Sequence, residues 1–452
     1  MDVKNLLTKN PRKLIFGFLL PTIAGQIIFA ISRTAEKVFL GQTLGNEAIA
    51  AVGITFPLFT IIIAFSMWIR IGAGASISLA LGKKDIDRAE RVLGTAIWLL
   101  TAASIVIIVL VLTFLEDILL NIGANKDILP MSILYMQVTT AGLIINFYAF
   151  GVSHLIRAEG SPLKGMWLLV AGALVNVVLS FVFIKKLEWG IFGAALAPVS
   201  GNVVSMILIF HHLLKEQKSN LRLRRKYIKL DLIHLKSIAE IGVSAFIMMA
   251  GGSVIGMIAN AILIRLGGVT YVGIMGGITY TFLFIQIIIT GLCYGFQPLF
   301  GYSYGNSDTI RLRLYLRNAL LLGTLCSLVA FLFIFISPDR AVAFFSQGNS
   351  SYAEVAIPIM KQYFMALPVV GFNMLGAYFF QSIGKAGKAI FLFGVQKVTL
   401  ALGILVLSNY LQVDGVFLSF PIAEFVLFVT MVFVLYFELR SVFTAVPKLA
   451  KQ

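Results

Sequence analysis

The sequence predicts an all-α polytopic membrane protein with twelve transmembrane helices arranged as two parallel six-helix lobes. Three observations lead to this prediction. Of the 452 residues, 59% are hydrophobic and 12% are charged, whereas soluble domains carry about 25% charged residues. Apolar segments long enough to cross a bilayer recur along the whole chain. The loops that follow corresponding segments in the two halves resemble one another.

Each transmembrane helix is predicted from one apolar segment of sufficient length. In chain order the segments are 14–41, 48–82, 93–115, 130–156, 166–185, 190–214, 239–267, 270–301, 315–337, 355–383, 389–411 and 413–437. The second and eighth are longer than a bilayer requires, which predicts tilt, kinks or protruding ends. The first is expected to remain as a span and not to be removed as a signal peptide, because it is long, contains Pro21 and lacks a small-residue cleavage site.

An internal repeat is visible in the loops. The segment 82–88, Gly-Lys-Lys-Asp-Ile-Asp-Arg, matches the segment 305–311, Gly-Asn-Ser-Asp-Thr-Ile-Arg, at its glycine, first aspartate and arginine. The loop 157–164 is mirrored in the same way by the loop 382–388. Because each half has an even number of spans, the halves are predicted to be parallel repeats related by an axis along the membrane normal. We therefore divide the chain into a lobe at 1–214, a basic linker at 215–238 and a lobe at 239–452.

Lysine and arginine are distributed unevenly between the predicted loops. With a cytoplasmic N-terminus, 26 of the 36 lie on the inner side and 4 on the outer side. The positive-inside rule therefore predicts a multi-pass protein of the cytoplasmic membrane with both termini inside. This placement accounts for the net charge of +16 without nucleic acid. The basic run at 222–229 is interpreted as a solvated linker that touches anionic lipid headgroups.

Ionisable side chains inside the first span give the strongest functional signal, because such residues are rare in membranes and usually face a cavity or each other. Glu36 lies three residues after Arg33 and directly before Lys37. On a helix all three side chains can share one face, with the carboxylate beside the two cations. An alternative is that Arg33 and Lys37 only extend toward the outer membrane interface.

Three further charged residues lie well inside other spans: Arg70, Lys397 and Glu424. Among the charged residues in or near spans, five basic ones outnumber two acidic ones. If most of them line one cavity, its electric field attracts anions or the anionic end of an amphiphile. An alternative is that Lys397 and Glu424 pair with one another and are structural.

Motifs for catalysis or nucleotide binding are missing from the sequence. There is no Walker loop, no Cys-x-x-Cys and no nucleophile elbow, and the four histidines lack a ligand spacing. We therefore predict no enzyme activity, no metal and no cofactor, and an enzyme acting on lipid is disfavoured for the same reason. Any energy used should come from an ion gradient.

Several motifs follow one another along essentially the whole chain: Ala-Glu-Lys-Val-Phe-Leu-Gly at 35–41, Gly-Ala-Gly-Ala-Ser at 72–76, Arg-Ala-Glu-Gly at 157–160, Gly-Leu-Cys-Tyr-Gly-Phe-Gln-Pro at 291–298 and Asp-Gly-Val-Phe-Leu-Ser-Phe-Pro at 414–421. In this order they resemble the multidrug and toxic compound extrusion (MATE) family of the MOP superfamily, in its MepA-like branch. The resemblance implies two lobes around a V-shaped central cavity. It also implies multidrug efflux by antiport with H⁺ or Na⁺ and alternating access.

The resemblance further implies a set of site residues. Glu36 stands where many members have aspartate, which makes it the expected ion-coupling acid. Asn176 matches a family asparagine, and Ser180 replaces an aspartate that is common there, so both are expected as neutral co-ligands. Tyr294 occupies a position that is acidic in some relatives. The residues expected to line the substrate cavity are Arg33, Lys37, Arg70, Lys397, Glu424 and Tyr294.

An alternative stays open for two reasons. Position 180 has serine where an acid is common in the family, and basic residues outnumber acidic ones in or near the spans. The alternative is a flippase, or an exporter of anionic or amphiphilic organic compounds, with altered coupling. For either activity the expected partners are a small organic substrate and membrane lipid. Nucleic acid is not expected, and the protein is predicted to be a monomer.

Overall fold

The computed structural model describes residues 10–215, 221–346 and 350–449, which form helices and no β-strand. Within them, ten helices are long and apolar enough to cross a membrane, and a bent pair adds an eleventh span. One of the ten, Ala386–Arg440, has 55 residues. At 1.5 Å per residue it would extend about 80 Å, against a hydrocarbon core of about 30 Å. The non-helical backbone of Gln412 divides it into two spans, so the prediction of twelve is confirmed.

We label the spans α1 to α12 in chain order. They are α1 Pro11–Gly45, α2 Phe56–Gly82, α3 Ile86–Thr113, α4 formed by Leu129–Ala141 and Leu143–Ala158 with a bend of 53°, α5 Pro162–Lys186, α6 Gly190–Leu214, α7 Leu232–Gly267, α8 Val269–Gly305, α9 Thr309–Ile336, α10 Tyr352–Ser382, α11 386–411 and α12 413–440. Two short helices, Leu115–Ile122 and Pro338–Ser346, lie before α4 and α10.

Residues with left-handed backbone recur at equivalent points of the two halves. A positive φ is uncommon for residues that carry a side chain, so a shared pattern of such residues is informative. Four pairs occur 223 or 224 positions apart: Gly45 (φ 77°) and Gly268 (75°), Lys84 (61°) and Ser307 (59°), Gly160 (99°) and Gly384 (75°), and Glu188 and Gln412 (both 53°). The backbone therefore confirms the repeat that the loop sequences predict.

The aspartate shared by the two matching loops has a structural role. Asp85 accepts a hydrogen bond from the backbone N–H of Arg88 at 3.0 Å, and Asp308 accepts one from Arg311, also at 3.0 Å. An N-cap aspartate satisfies a backbone N–H that the first helical turn leaves without a partner. The motif thus begins α3 and α9 in the same way.

The spans alternate in direction, so the loops at 83–85, 159–161, 306–308 and 383–385 lie at one end of the bundle together with the linker. We call this end the basic face. The outer surface of the bundle is apolar: for example, Phe16, Trp167 and Phe433 are 62%, 61% and 61% exposed. Exposed apolar side chains on membrane-crossing helices leave a surface for lipid.

Close packing between the lobes is found toward the basic face. A β-carbon added to Gly72 of α2 would lie 2.1 Å from the carbonyl oxygen of Ile238 in α7. One added to Gly82 would lie 3.0 Å from the Cα of Gly305 in α8. By contrast, a β-carbon at Gly276, near the other end of α8, would meet nothing within 4 Å. Glycines therefore let the lobes touch through their backbones near the basic face.

The linker packs against the first lobe. The interpretation of the basic run as a solvated segment is therefore wrong for the residues that make these contacts. The carboxylate of Glu90 in α3 lies 2.8 Å from Nε of Arg224 and accepts a hydrogen bond from the backbone N–H of Arg222 at 3.3 Å. Glu159 accepts a hydrogen bond from the N–H of Leu221 at 3.2 Å. Both carboxylates are buried and require such partners. Linker residues 216–220 lie outside the described residues.

Substituting Glu90 with alanine is expected to release the linker. The variant removes the carboxylate that contacts the chain at residues 222 and 224, so trypsin should cut the basic segment 222–229 several times faster than in the wild-type protein. Limited proteolysis followed by mass spectrometry measures the rate. Glu116→Ala, at an exposed position, is the matched control. Equal rates for Glu90→Ala and the control would show that Glu90 does not hold the linker.

Candidate functional site

Glu36 of α1 is a buried carboxylate, 4% exposed. The hydroxyl of Tyr135 in α4 donates a hydrogen bond to Oε1 at 3.3 Å. The guanidinium of Arg33 lies 3.6 Å from Oε2. Oε2 has no hydrogen-bond partner, although a buried polar atom normally has one. The carboxylate thus keeps one oxygen that can accept a proton or a cation.

The two cations beside Glu36 have different surroundings. Arg33 lies against the rings of Phe29 and Phe59, with its Cζ 5.5 and 5.7 Å from the ring centroids. Lys37 is exposed and donates a hydrogen bond of 2.9 Å to the hydroxyl of Tyr280 in α8. The predicted shared face therefore holds Arg33 and the carboxylate together, whereas Lys37 reaches across to the second lobe.

Asn176 and Ser180 of α5 form a neutral polar chain beside α1. The hydroxyl of Ser180 donates to Oδ1 of Asn176 at 3.2 Å, and Nδ2 of Asn176 donates to Oγ of Ser32 at 2.9 Å. Ser32 in turn donates to the carbonyl of Ala173 at 3.2 Å. The chain reaches α1 one helical turn before Glu36. Carboxylate, amide and hydroxyl oxygens are the ligand types that hard cations prefer.

Glu424 of α12 is a further carboxylate within a span, and two amides hold it. Asn373 donates to Oε2 at 2.8 Å and Gln396 donates to Oε1 at 2.5 Å. Lys397 lies beside α7 instead, where a β-carbon at Gly251 would be 3.3 Å from its Cγ. None of the ion pairs between described residues joins Lys397 to Glu424. The alternative of a structural pair has no direct contact to support it.

Arg70 and Tyr294 meet where the lobes pack together. Nη2 of Arg70 donates to the hydroxyl of Tyr294 at 3.2 Å, and its Cζ lies 5.7 Å from the ring centroid. Arg157 of α4 lies at the same distance from that ring and is only 4% exposed. His154, one turn earlier, is 3.2 Å from a guanidinium nitrogen of Arg157 through Nδ1. Two arginines therefore flank one tyrosine between the lobes.

The structure groups the sequence-predicted residues into three clusters. Glu36 lies with Arg33, and Asn176 lies with Ser180 a turn away. Arg70 lies with Tyr294, while Lys37, Lys397 and Glu424 each make separate contacts. Sequence reasoning missed Tyr135, His154 and Arg157. Tyr135 gives no signal in the sequence, because it is one aromatic residue among many. His154 lies near the end of the predicted span 130–156, and Arg157 is the first residue of the loop that follows it.

Comparisons with known proteins agree over most of the chain. The MatE family model matches residues 21–182 and 244–404. The multidrug export protein MepA of Staphylococcus aureus is 25% identical over 415 residues, which cover 91% of this chain and 90% of that protein. An outward-facing structure of a multidrug resistance MATE family transporter of the MOP superfamily has a TM-score of 0.92 at 21% identity, covering 98% and 99% of the two chains. A structure of MATE in the bent conformation has a TM-score of 0.90 at 22% identity with the same coverage. These structures share the fold.

Proposed function

The chain belongs to the MatE family, and on this premise we propose that it exports small organic molecules across the cell membrane in exchange for inward-moving H⁺ or Na⁺. It is a multi-pass membrane transporter and not an enzyme. The family model covers both halves of the chain, and the similar MepA protein is a multidrug exporter. Multidrug efflux is therefore the activity that we propose for this chain.

The environment of Glu36 is the observation that carries the proposal. A carboxylate buried in a membrane span is costly and is expected to serve function. One of its oxygens has no hydrogen-bond partner among the described residues and lies 3.6 Å from the guanidinium of Arg33. We propose that this oxygen binds the coupling ion, with Asn176 and Ser180 as neutral ligands nearby. A proton or Na⁺ there neutralises the carboxylate and weakens its attraction to Arg33.

We propose that the ion acts on the movement of the lobes through α1. Glu36 and Lys37 are adjacent on that helix, and Lys37 contacts Tyr280 of the second lobe. A change in the charge at Glu36 therefore alters the field next to a contact between the lobes. The lobes, residues 1–214 and 239–452, would rock about the linker at 215–238. The cavity positions that we propose for substrate contact are Arg33, Lys37, Arg70, Lys397, Glu424 and Tyr294.

Transport in proteoliposomes tests this function. Ethidium, an organic cation, serves as the probe, and either an H⁺ or a Na⁺ gradient is imposed in separate experiments. Ethidium movement should be driven by one of the two gradients and should stop when an ionophore dissipates it. Movement at equal rates with and without a gradient would exclude coupled antiport.

Orientation in the membrane follows from the charges of the basic face. We propose that this face lies in the cytoplasm, as the positive-inside rule predicts. Cysteines at Lys84 and Ser307 should then react with a membrane-impermeant maleimide only after cells are permeabilised. Cysteines at the opposite end, at Lys126 in a loop and at Arg340 in the short helix Pro338–Ser346, should react in intact cells. Labelling at Lys84 or Ser307 in intact cells would contradict the orientation.

A further inference from the structure

Two guanidinium groups lie close together between the lobes without an acidic partner. Arg70 and Arg157 both lie against the ring of Tyr294, and none of the ion pairs between described residues includes either arginine. Their Nε atoms are buried and lack hydrogen-bond partners. Placing two like charges in a buried region is unfavourable unless an opposite charge compensates them. Among the residues that the structure describes, no acidic side chain forms an ion pair with either arginine.

The neighbouring side chains cannot replace an acid. A guanidinium can only donate hydrogen bonds, so Nδ1 of His154 accepts from Arg157 and gives no negative charge. The hydroxyl of Tyr294 accepts from Arg70, and its own hydrogen can donate to the hydroxyl of Tyr378 or to an anion. The two arginines therefore present buried Nε–H donors that have no acceptor among the described residues.

We propose that Arg70, Arg157 and Tyr294 form a subsite for the carboxylate or phosphate group of an organic anion. This inference rests on the proposed export function and specifies a substrate class for it. Guanidinium groups match oxyanions through paired hydrogen bonds. The rings of Tyr294 and Tyr378, with centroids 6.1 Å apart, give an aromatic surface next to the charged group.

The position of the subsite connects substrate binding to the contact between the lobes. Arg70 and Arg157 belong to α2 and α4 of the first lobe, whereas Tyr294 and Tyr378 belong to α8 and α10 of the second. An anion held by these residues therefore contacts both lobes. Its charge offsets the repulsion between the two arginines, so bound anion should favour the packed arrangement near the basic face.

Three probes that share an indole ring test the charge preference: indole-3-acetate (anion), indole-3-acetamide (neutral) and tryptamine (cation). Their binding to purified protein is measured by isothermal titration calorimetry without a gradient. The wild-type protein should bind the anion at least about tenfold more tightly than the other two, a difference equal to 1.4 kcal/mol. Arg70→Gln and Arg157→Gln should each remove this preference. Arg265→Gln, at an exposed arginine on α7, should retain it.

The remaining variants and measurements separate the alternatives. If Arg157→Gln is poorly folded, Arg157→Lys is measured in its place. It keeps the positive charge and should retain most of the preference for the anion. Inorganic phosphate should compete with indole-3-acetate only at much higher concentration, and equal affinity would overturn the assignment to organic anions. Wild-type protein that binds tryptamine most tightly, or Gln variants that keep the anion preference, would also overturn it. Gradient-driven transport of ethidium and of indole-3-acetate is measured separately in proteoliposomes. Failure of both bears on the proposed function, whereas a missing anion preference in binding bears on this inference alone.

Discussion

Replacing Glu36 with glutamine is expected to abolish gradient-driven export while leaving the fold intact. Glutamine has nearly the same shape and can still accept the hydrogen bond that Tyr135 donates to Oε1. It can neither take up a proton nor offer a negative charge to Na⁺, however, so the ion and the substrate should no longer be coupled. We expect the gradient-driven rate to fall by at least about a hundredfold, which corresponds to a loss of 2.7 kcal/mol in coupling.

Measurements on proteoliposomes should include two further variants. Glu36→Asp keeps the carboxylate and should retain part of the activity. Glu354→Gln, at an exposed position, is the matched control and should behave as wild type. If the carboxylate serves only to neutralise Arg33, then Glu36→Gln should lower the melting temperature and leave gradient-driven export unchanged. That result would remove Glu36 from the transport mechanism.

Substituting Gly72 or Gly242 with alanine is expected to prevent the lobes from packing near the basic face. A β-carbon at Gly72 would lie 2.1 Å from the carbonyl oxygen of Ile238, and one at Gly242 would lie 1.8 Å from that of Trp68. Both neighbours are backbone atoms, so whole helices must separate to make room. The state with the lobes in contact should therefore become rare.

Accessibility to a thiol reagent reports on this separation. The hydroxyl oxygens of Ser237 and Ser76 lie 3.0 Å apart across the contact between the lobes. The single variant Ser237→Cys, which keeps both glycines, is therefore expected to react slowly. In Gly72→Ala or Gly242→Ala the labelling rate should rise at least about tenfold, as for a population shift of 1.4 kcal/mol. Gly276→Ala introduces a β-carbon that meets nothing and is the control. An unchanged rate in both variants would show that this contact does not close the basic face.

The fold could be predicted well from the sequence because its determinants are local. Apolar length sets each span, and the matching aspartates of the loops at 82–88 and 305–311 cap equivalent helices. Glu36 could be identified in the same way, since a carboxylate in an apolar segment stands out wherever it lies. Its role in coupling remains a prediction.

Features that depend on contacts between distant segments could not be predicted. Arg157 follows an apolar segment and resembles an ordinary interfacial charge, and only the packing of α5 and α8 against it shows that it is buried. The docking of the linker depends on Glu90 and Glu159, which lie far from it in the sequence. Tyr135 contacts Glu36 through a bend in α4 that no local pattern indicates.

The docked linker also sets a length limit on the motion between the lobes. Tyr227 is buried against the first lobe, where its hydroxyl donates to Asp87, and α7 of the second lobe begins at Leu232. Only the four residues 228–231 join these two fixed points. Five Cα-to-Cα steps separate Tyr227 from Leu232, and a fully extended chain spans at most about 3.5 Å per residue, so this tether reaches roughly 17 Å. As long as Tyr227 stays docked, the start of α7 cannot move farther than that from the first lobe, and any larger displacement requires the linker to detach.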